Sequence, residues 1–204
     1  MEKSHQNLLQ NLINTGIGRK LRRDSKEVKD LDRINQILSE SRIGYLGLYD
    51  QEGTYVVPLN FTWHNNKIYF HGSNQGRKID AIKNNNIITC FTVSQEYGTI
   101  ADPVPAETGT SYFSAMVFGR VSIVKSLEEA TSALQSMLDK YVPGYYPNPV
   151  PQKHVERYRS STGSSTVVFR IDPIKITAKE DIASSDKLFY PGRKQKEDLK
   201  PNRS

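Results

Sequence analysis

The chain has 204 residues, 36% of them hydrophobic and 25% charged, with a formal net charge of +6 and a mean hydropathy of −0.59. That length suits one domain with a real core. No apolar run is long enough to cross a bilayer, and no apolar segment follows a basic start as in a secretory signal. A single cysteine, Cys90 in the apolar run Ile87–Phe91, excludes an intrachain disulfide. It reads as a buried structural thiol, with the cytoplasm as default compartment. The positive charge sits near the ends: residues 19–33 hold seven Lys/Arg against four Asp/Glu, and residues 187–204 six against two. The body is near neutral, so no nucleic-acid surface is expected.

In chain order, residues 1–29 read as a polar N-terminal extension, partly helical at Leu8–Ile13, where Gly16 and Gly18 end the helix. Leu31, Ile34, Ile37 and Leu38 mark one helical face, with Asp30 as N-cap. Ile43–Tyr49 is a strand, and Asp50-Gln51-Glu52-Gly53 a hairpin turn. Thr54–Trp63 is a second strand, in which Pro58 requires an edge or a bulge because it has no N–H for the ladder. His64-Asn65-Asn66-Lys67 turns into a third strand, Ile68–His71. A short helix follows at Ile79–Asn84, then a strand at Ile87–Val93, a loop at 94–110 and a long strand at Ser111–Val124. Gly119 in that strand suits bending or the close approach of a ligand. Ser126 and Glu129 match a capping box, and Leu127, Ala130, Leu134, Met137, Leu138 and Tyr141 form the apolar face of the helix behind it. Pro143 ends that helix, and the proline-rich stretch 143–151 reads as a stiff loop. Thr166–Ile171 and Ile174–Ala178 are final strands around an Asp172-Pro173 turn. From Ser184 the chain is charged and aperiodic, which predicts a basic, disordered tail over 184–204. Residues 30–183 are the domain. Short strands joined by tight turns, with few helices, predict a mainly β fold with flanking helices (α+β), an antiparallel closed barrel. The links are too short for the crossovers of a Rossmann sheet.

The stretch with most chemical content is His71-Gly72-Ser73-Asn74-Gln75-Gly76-Arg77-Lys78-Ile79-Asp80. It leaves a strand, turns through Ser/Asn/Gly and opens a helix with two cations in the first turn. A helix N-terminus already carries the positive end of the dipole. Cations there are favourable only with an anion between them and the backbone, and phosphate is the usual one. The plainer alternative is a solvated helix face. The Walker spacing is absent.

Four blocks resemble the flavin-binding split-barrel proteins related to pyridoxamine-phosphate oxidase, especially their 5-nitroimidazole-resistance branch. They are Ile43-Gly44-Tyr45-Leu46-Gly47; Tyr55-Val56-Val57-Pro58-Leu59-Asn60-Phe61; Ile68-Tyr69-Phe70-His71 through Gly76-Arg77-Lys78-Ile79-Asp80; and Tyr112-Phe113-Ser114 through Phe118-Gly119-Arg120. They stand in family order over about residues 22–180. The resemblance implies FMN bound between the two subunits of a homodimer. It implies that Val57, Pro58, Leu59, Asn60 and Phe61 border the isoalloxazine, with a bulge at Pro58 freeing polar backbone groups for the ring edge. Ser73, Arg77 and Lys78 would hold the phosphate. Ser114, Met116 and Val117 would line the ribityl and ring region from the neighbouring strand. Many relatives carry a basic residue where this chain has Phe113, so a phosphate contact is lost there.

The same resemblance places His71 beside the flavin, as a catalytic histidine or a haem ligand; the alternative is a histidine packed at a strand end. His64 reads as an exposed turn residue, and His154 has no partner in sequence. Tyr145 and Tyr146 either cover a pocket or pin the proline-rich loop. No Cys/His cluster has metal spacing, and no Gly-x-Ser-x-Gly elbow occurs. The expectation is therefore an FMN-dependent oxidoreductase that reduces a small electron-poor substrate such as a nitroaromatic, with no nucleic acid or membrane as partner. The alternative is a non-catalytic flavin- or haem-binding protein of the same fold.

Overall fold

The computed structural model describes residues 24–84, 88–159, 163 and 166–199. The helix expected at Leu8–Ile13 lies outside them. Among the described residues no helix is long and apolar enough to cross a membrane.

Helix α1 (Leu31–Glu40) begins where the Asp30 carboxylate accepts from the Asp32 and Arg33 N–H groups, two of the donors a helix start leaves unpaired. Its Ile34, Ile37 and Leu38 are buried, as their i, i+3, i+4 spacing requires. Strands β1 (Ile43–Asp50) and β2 (Gly53–Asn60) form a hairpin, and Gly53 takes φ 111° at the turn. Strands β3 (Thr62–His64) and β4 (Lys67–Ser73) form a second hairpin, whose two-residue turn holds Asn65 and Asn66 at positive φ, the conformation of a type I′ turn. Helix α2 (Arg77–Asn84) precedes the long hairpin of β5 (Thr89–Ile100) and β6 (Gly109–Ile123). Helices α3 (Leu127–Tyr141) and α4 (Gln152–Glu156), strand β7 (Thr166–Asp181) and the single turn α5 (Gln195–Asp198) complete the chain.

All pairings are antiparallel, in the order β2-β1-β5-β6-β7-β4-β3. The two outermost strands, β2 and β3, are consecutive in the chain and separated only by Phe61. The sheet therefore closes on itself through one bent segment, which makes it a barrel. Five phenylalanines with no solvent exposure, Phe61, Phe70, Phe91, Phe113 and Phe169, fill it. Alternate residues point inward, and α1 contributes Ile34, Ile37 and Leu38 to the same core. Helix α3 packs outside, with Ala130 and Ala133 against Tyr69 and Val168.

Several sequence expectations are corrected. The break in the second strand falls at Phe61, not Pro58: β2 pairs with β1 without a register shift from Asn60 to Gly53. Pro58 is tolerated because β2 ends the ladder order, and it makes no bulge. Most of the loop expected at 94–110 is strand, because the irregularity between Glu96 and Gly98 is absorbed within the β5–β6 ladder. No turn interrupts β7 at Asp172-Pro173. Ile174 is an extra residue opposite the Phe118–Gly119 step, and the β7 backbone comes so near that a Cβ on Gly119 would lie 2.3 Å from the Asp172 carbonyl oxygen. Gly119 thus admits a strand, not a ligand. Glu129 does not complete a capping box. Ser126 accepts its N–H, but its carboxylate receives the Tyr69 hydroxyl and the Arg170 guanidinium. Cys90 is only half-buried, because Phe91 takes the inward position beside it. The described part of the segment from Ser184 makes contacts with the β5–β6 hairpin. Ala101 N–H donates to Lys187 and Phe189 N–H to Thr99, Leu188 covers Gly98, and Arg193 pairs with Asp198. Arg193 is the reason: one guanidinium also caps the Asp186 and Leu188 carbonyls, which an aperiodic sequence does not advertise.

Candidate functional site

Strand β4 carries the site at its end. Ile68 and Phe70 point into the barrel, so Tyr69 and His71 share the outer face under α3. His71 stands in the wall of a cavity of about 540 Å³ lined mainly by apolar groups, among them Leu134, Met137 and Leu138 of α3, Tyr146, Val150, His154 and Tyr158. Its ring meets Tyr158 edge-on at 6.2 Å between centroids. His71 keeps an exposed edge, but desolvation on its cavity side, and then the Lys78 charge, lower its pKa, which favours the neutral imidazole.

Two residues on, the Ser73 Oγ accepts the Gln75 N–H, and Gly76 at φ 97° turns the chain into α2. The two cations of α2 part company. Lys78 folds back over Gly72, where a Cβ would stand 2.6 Å from its Nζ. Its ammonium lies 5.5 and 5.2 Å from the stacked Phe70 and Phe169 rings. No described carboxylate pairs with it, and burial lowers its pKa. Arg77 is already partnered: it forms a bidentate pair with Asp50 at 2.6 and 2.9 Å, reaches Glu52 at 3.3 Å and lies 4.1 Å over the Tyr55 ring. The turn fits an anion through Ser73 and Lys78, while Arg77 would have to leave two carboxylates to join them. The buried Asn74 Oδ1 beside them lacks a partner among the described residues.

The remaining candidates divide by face. On β2, Val57 and Leu59 lean on the core, whereas Pro58 and Asn60 are exposed, Asn60 donating to the Arg42 carbonyl at 3.1 Å. Phe61 is wholly buried. On β6, Ser114 and Met116 face outward, but Val117 is in the core with no exposure, one residue out of phase with Met116. Nor is β6 the neighbour of β2: β1 and β5 lie between them. One outer row reads Pro58, Tyr45, Thr92, Met116 across four strands, and the next begins with Val56, Gly47, Cys90 and Phe118. Tyr45, Val56 and Met116 are 44%, 62% and 43% exposed, a largely apolar sheet face left open by the described residues.

His154 and Tyr158 line the cavity without having been singled out by the sequence; no motif surrounds them, and only the packing of α4 brings them to the cavity of His71. Of the two tyrosines in the proline-rich loop, Tyr146 lines the cavity and Tyr145 is exposed. His64 bonds to Ser132 of α3 at 2.9 Å instead of standing free. No group of three or more His, Cys, Asp or Glu among the described residues is arranged for a metal ion.

This combination of closed antiparallel barrel, β4–α2 turn and helix-covered cavity defines a known class. The family description pyridoxamine 5'-phosphate oxidase matches residues 30–180, and the chain belongs to that family. Its fold is shared with the flavocytochrome Anf3 from Azotobacter vinelandii, at a TM-score of 0.67 and 20% identity over 83% of this chain and 77% of that one. It is also shared with an FAD and heme binding protein from Mycobacterium smegmatis, at 0.62 and 16% over 79% and 77%. A protein described as a 5-nitroimidazole antibiotic resistance protein, from Bacteroides thetaiotaomicron, is similar at 0.58 and 26% identity over 75% and 85%. No curated protein matches the chain.

Proposed function

We propose that the protein binds FMN between two copies of itself, in the cytoplasm, and reduces a small electron-poor substrate such as a nitroaromatic in the cavity beside His71. The observation that carries this reading is adjacency: three consecutive residues, His71 to Ser73, join an apolar cavity to a turn whose lysine has no acidic partner among the described residues. Ser73 and Lys78 hold the phosphate. Pro58 and Asn60 meet the ring from one copy; Ser114 and Met116 belong to the other, since within one chain two strands separate them. The exposed Tyr45, Val56 and Met116 give the two copies an apolar surface to bury. The flavin supplies the electrons, and the chain orients it and keeps water from the ring. His71, being neutral, offers one ring N–H and one acceptor nitrogen to a polar substituent of the substrate. Family membership and the similarity to the nitroimidazole-resistance protein support the reading. The test is a spectrum of the purified protein followed by anaerobic reduction and addition of a nitroimidazole. Flavin absorbance that returns as the nitro compound is consumed supports the reading; protein that takes up no FMN rejects it.

A second reading is favoured by His154. Two imidazoles, His71 and His154, line one apolar cavity of about 540 Å³ and would be the residues to hold a haem there, whose iron takes imidazole nitrogen as a ligand. Haemin titrated into the protein then gives a Soret band altered by both His71→Ala and His154→Ala; a band unchanged in both rejects this reading.

A further inference from the structure

The peptide groups on either side of Phe61, where β2 becomes β3 and the barrel closes, are held by the last two residues of α3. Phe61 N–H donates to the Tyr141 hydroxyl at 3.0 Å, and that hydroxyl donates to the Arg42 carbonyl at 2.5 Å. The Lys140 ammonium donates to the Phe61 carbonyl at 3.1 Å and reaches the Leu38 carbonyl, at the end of α1, at 3.5 Å. It also lies 4.0 Å over the Phe61 ring. One pair of side chains thus ties α1, α3 and the barrel seam together. The seam is the end of the strand that, on the flavin reading above, lies against the cofactor.

We propose that Lys140 is a positioning residue for the flavin: its ammonium fixes the Phe61 carbonyl, and flavin affinity falls as that ammonium loses its proton. The proposal rests on the flavin reading. The surroundings make the proton labile at ordinary pH. Burial, and then the nearby Arg42 cation, bring the Lys140 pKa down to about 8. The groups facing it are Arg42 from the α1–β1 turn, the Tyr141 hydroxyl from its own helix, and carbonyls from α1 and the seam. No described carboxylate balances it: Glu40 accepts the Gln36 amide and Asp139 the Gln135 amide. A charged donor to a carbonyl is stronger than a neutral amine in the same place, so deprotonation loosens the seam without removing the side chain.

The experiment measures FMN affinity between pH 6.5 and 9.5 in the wild type, Lys140→Arg and Lys140→Met. Wild type is expected to weaken about fivefold to tenfold around pH 8, an effect of the size of one ordinary intramolecular hydrogen bond. Lys140→Arg, which cannot lose its charge, should bind with a flat profile, and Lys140→Met should be weak and flat. In parallel, the Phe61 amide resonance of flavin-free wild type should titrate near pH 8 and that of Lys140→Arg should not. A purely structural lysine would give none of this pH dependence. Wild type that binds FMN equally well from pH 7 to 9.5, or an inflection retained in Lys140→Arg, overturns the proposal alone. Wild type that binds no flavin at any pH overturns the flavin reading and this proposal with it, and the Phe61 titration then still reports whether the seam responds. If Lys140→Met does not fold, the wild-type and Lys140→Arg profiles decide.

Discussion

At the residue scale the two cations at the start of α2 have opposite fates, and this separates their roles. Arg77, still partly exposed, is held by Asp50, Glu52 and the Tyr55 ring; Lys78 meets aromatic faces and no described carboxylate. Lys78→Ala is therefore expected to weaken FMN by about 1.5–3 kcal/mol, the value of a hydrogen bond to a charged group, and to leave riboflavin, which has no phosphate, nearly unaffected. Arg77→Ala should instead lower the thermal stability of the flavin-free protein. Fluorescence titration with both ligands, beside melting curves, checks the pair; equal weakening of riboflavin by Lys78→Ala would mean a damaged fold. Lys78 also acts on His71. Burial is the larger cause of the lowered His71 pKa and Lys78 the smaller, so Lys78→Met should raise that pKa while leaving it below 6.5, by NMR titration of the ring. The sign for stability follows. The folded pKa is below the unfolded one, so near pH 6.5 and just below it the unfolded chain binds the proton that the folded chain refuses. His71 therefore contributes stability that is fully present above about pH 6.5 and is lost as the pH falls toward its folded value. Urea melts at pH 7.5 and 5.5 should show a smaller difference for His71→Gln than for wild type; an equal difference would sink this assignment.

At the scale of elements, the bulge in β7 is bound to one glycine. A methyl group on Gly119 would meet backbone atoms, the Asp172 carbonyl oxygen at 2.3 Å and its carbon at 2.9 Å, and backbone of two laddered strands has little room to give. Gly119→Ala should cost about 2–4 kcal/mol, at or above the usual range for overpacking, read from chemical denaturation. The segment after β7 behaves as a strap across the β5–β6 hairpin. Leu188 fills the space over Gly98, and Arg193 is held by Asp198 and two carbonyls. Deleting residues 184–204 should lower the melting temperature by several degrees, on the order of 1–2 kcal/mol for a domain of this size, where a disordered tail would leave it unchanged.

For the whole molecule, the outer face of β2, β1, β5 and β6 is the surface on which the proposed pairing of two copies depends. Tyr45 lies in the middle of the row from Pro58 to Met116, and a carboxylate there would stand in the centre of the surface that two copies would bury on the proposal above. Tyr45→Glu is expected to give a monomer by sedimentation and to lose FMN, because the groups from β2 and β6 then have no second copy to meet. A monomer that keeps full flavin affinity would place the cofactor within one chain.

The local sequence was sufficient for what depends on nearest neighbours. Asp30 announces α1, and Asp50–Gly53 and Asn65-Asn66 announce the two hairpin turns. The four family blocks, taken together, were sufficient for the fold. The remainder needed tertiary structure because it depends on contacts distant in sequence. The seam falls at Phe61 because α3, some 80 residues later, supplies the partners for its peptide groups. The Asp172-Pro173 pair continues a strand because β6 offers a glycine opposite. Arg77 is drawn away from the β4–α2 turn by carboxylates of the β1–β2 hairpin, Val117 is turned inward by register, and His154 comes to line the same cavity as His71 only through the packing of α4. Each is a choice between local options of similar free energy, and such choices are settled by a remote partner that no window of sequence contains.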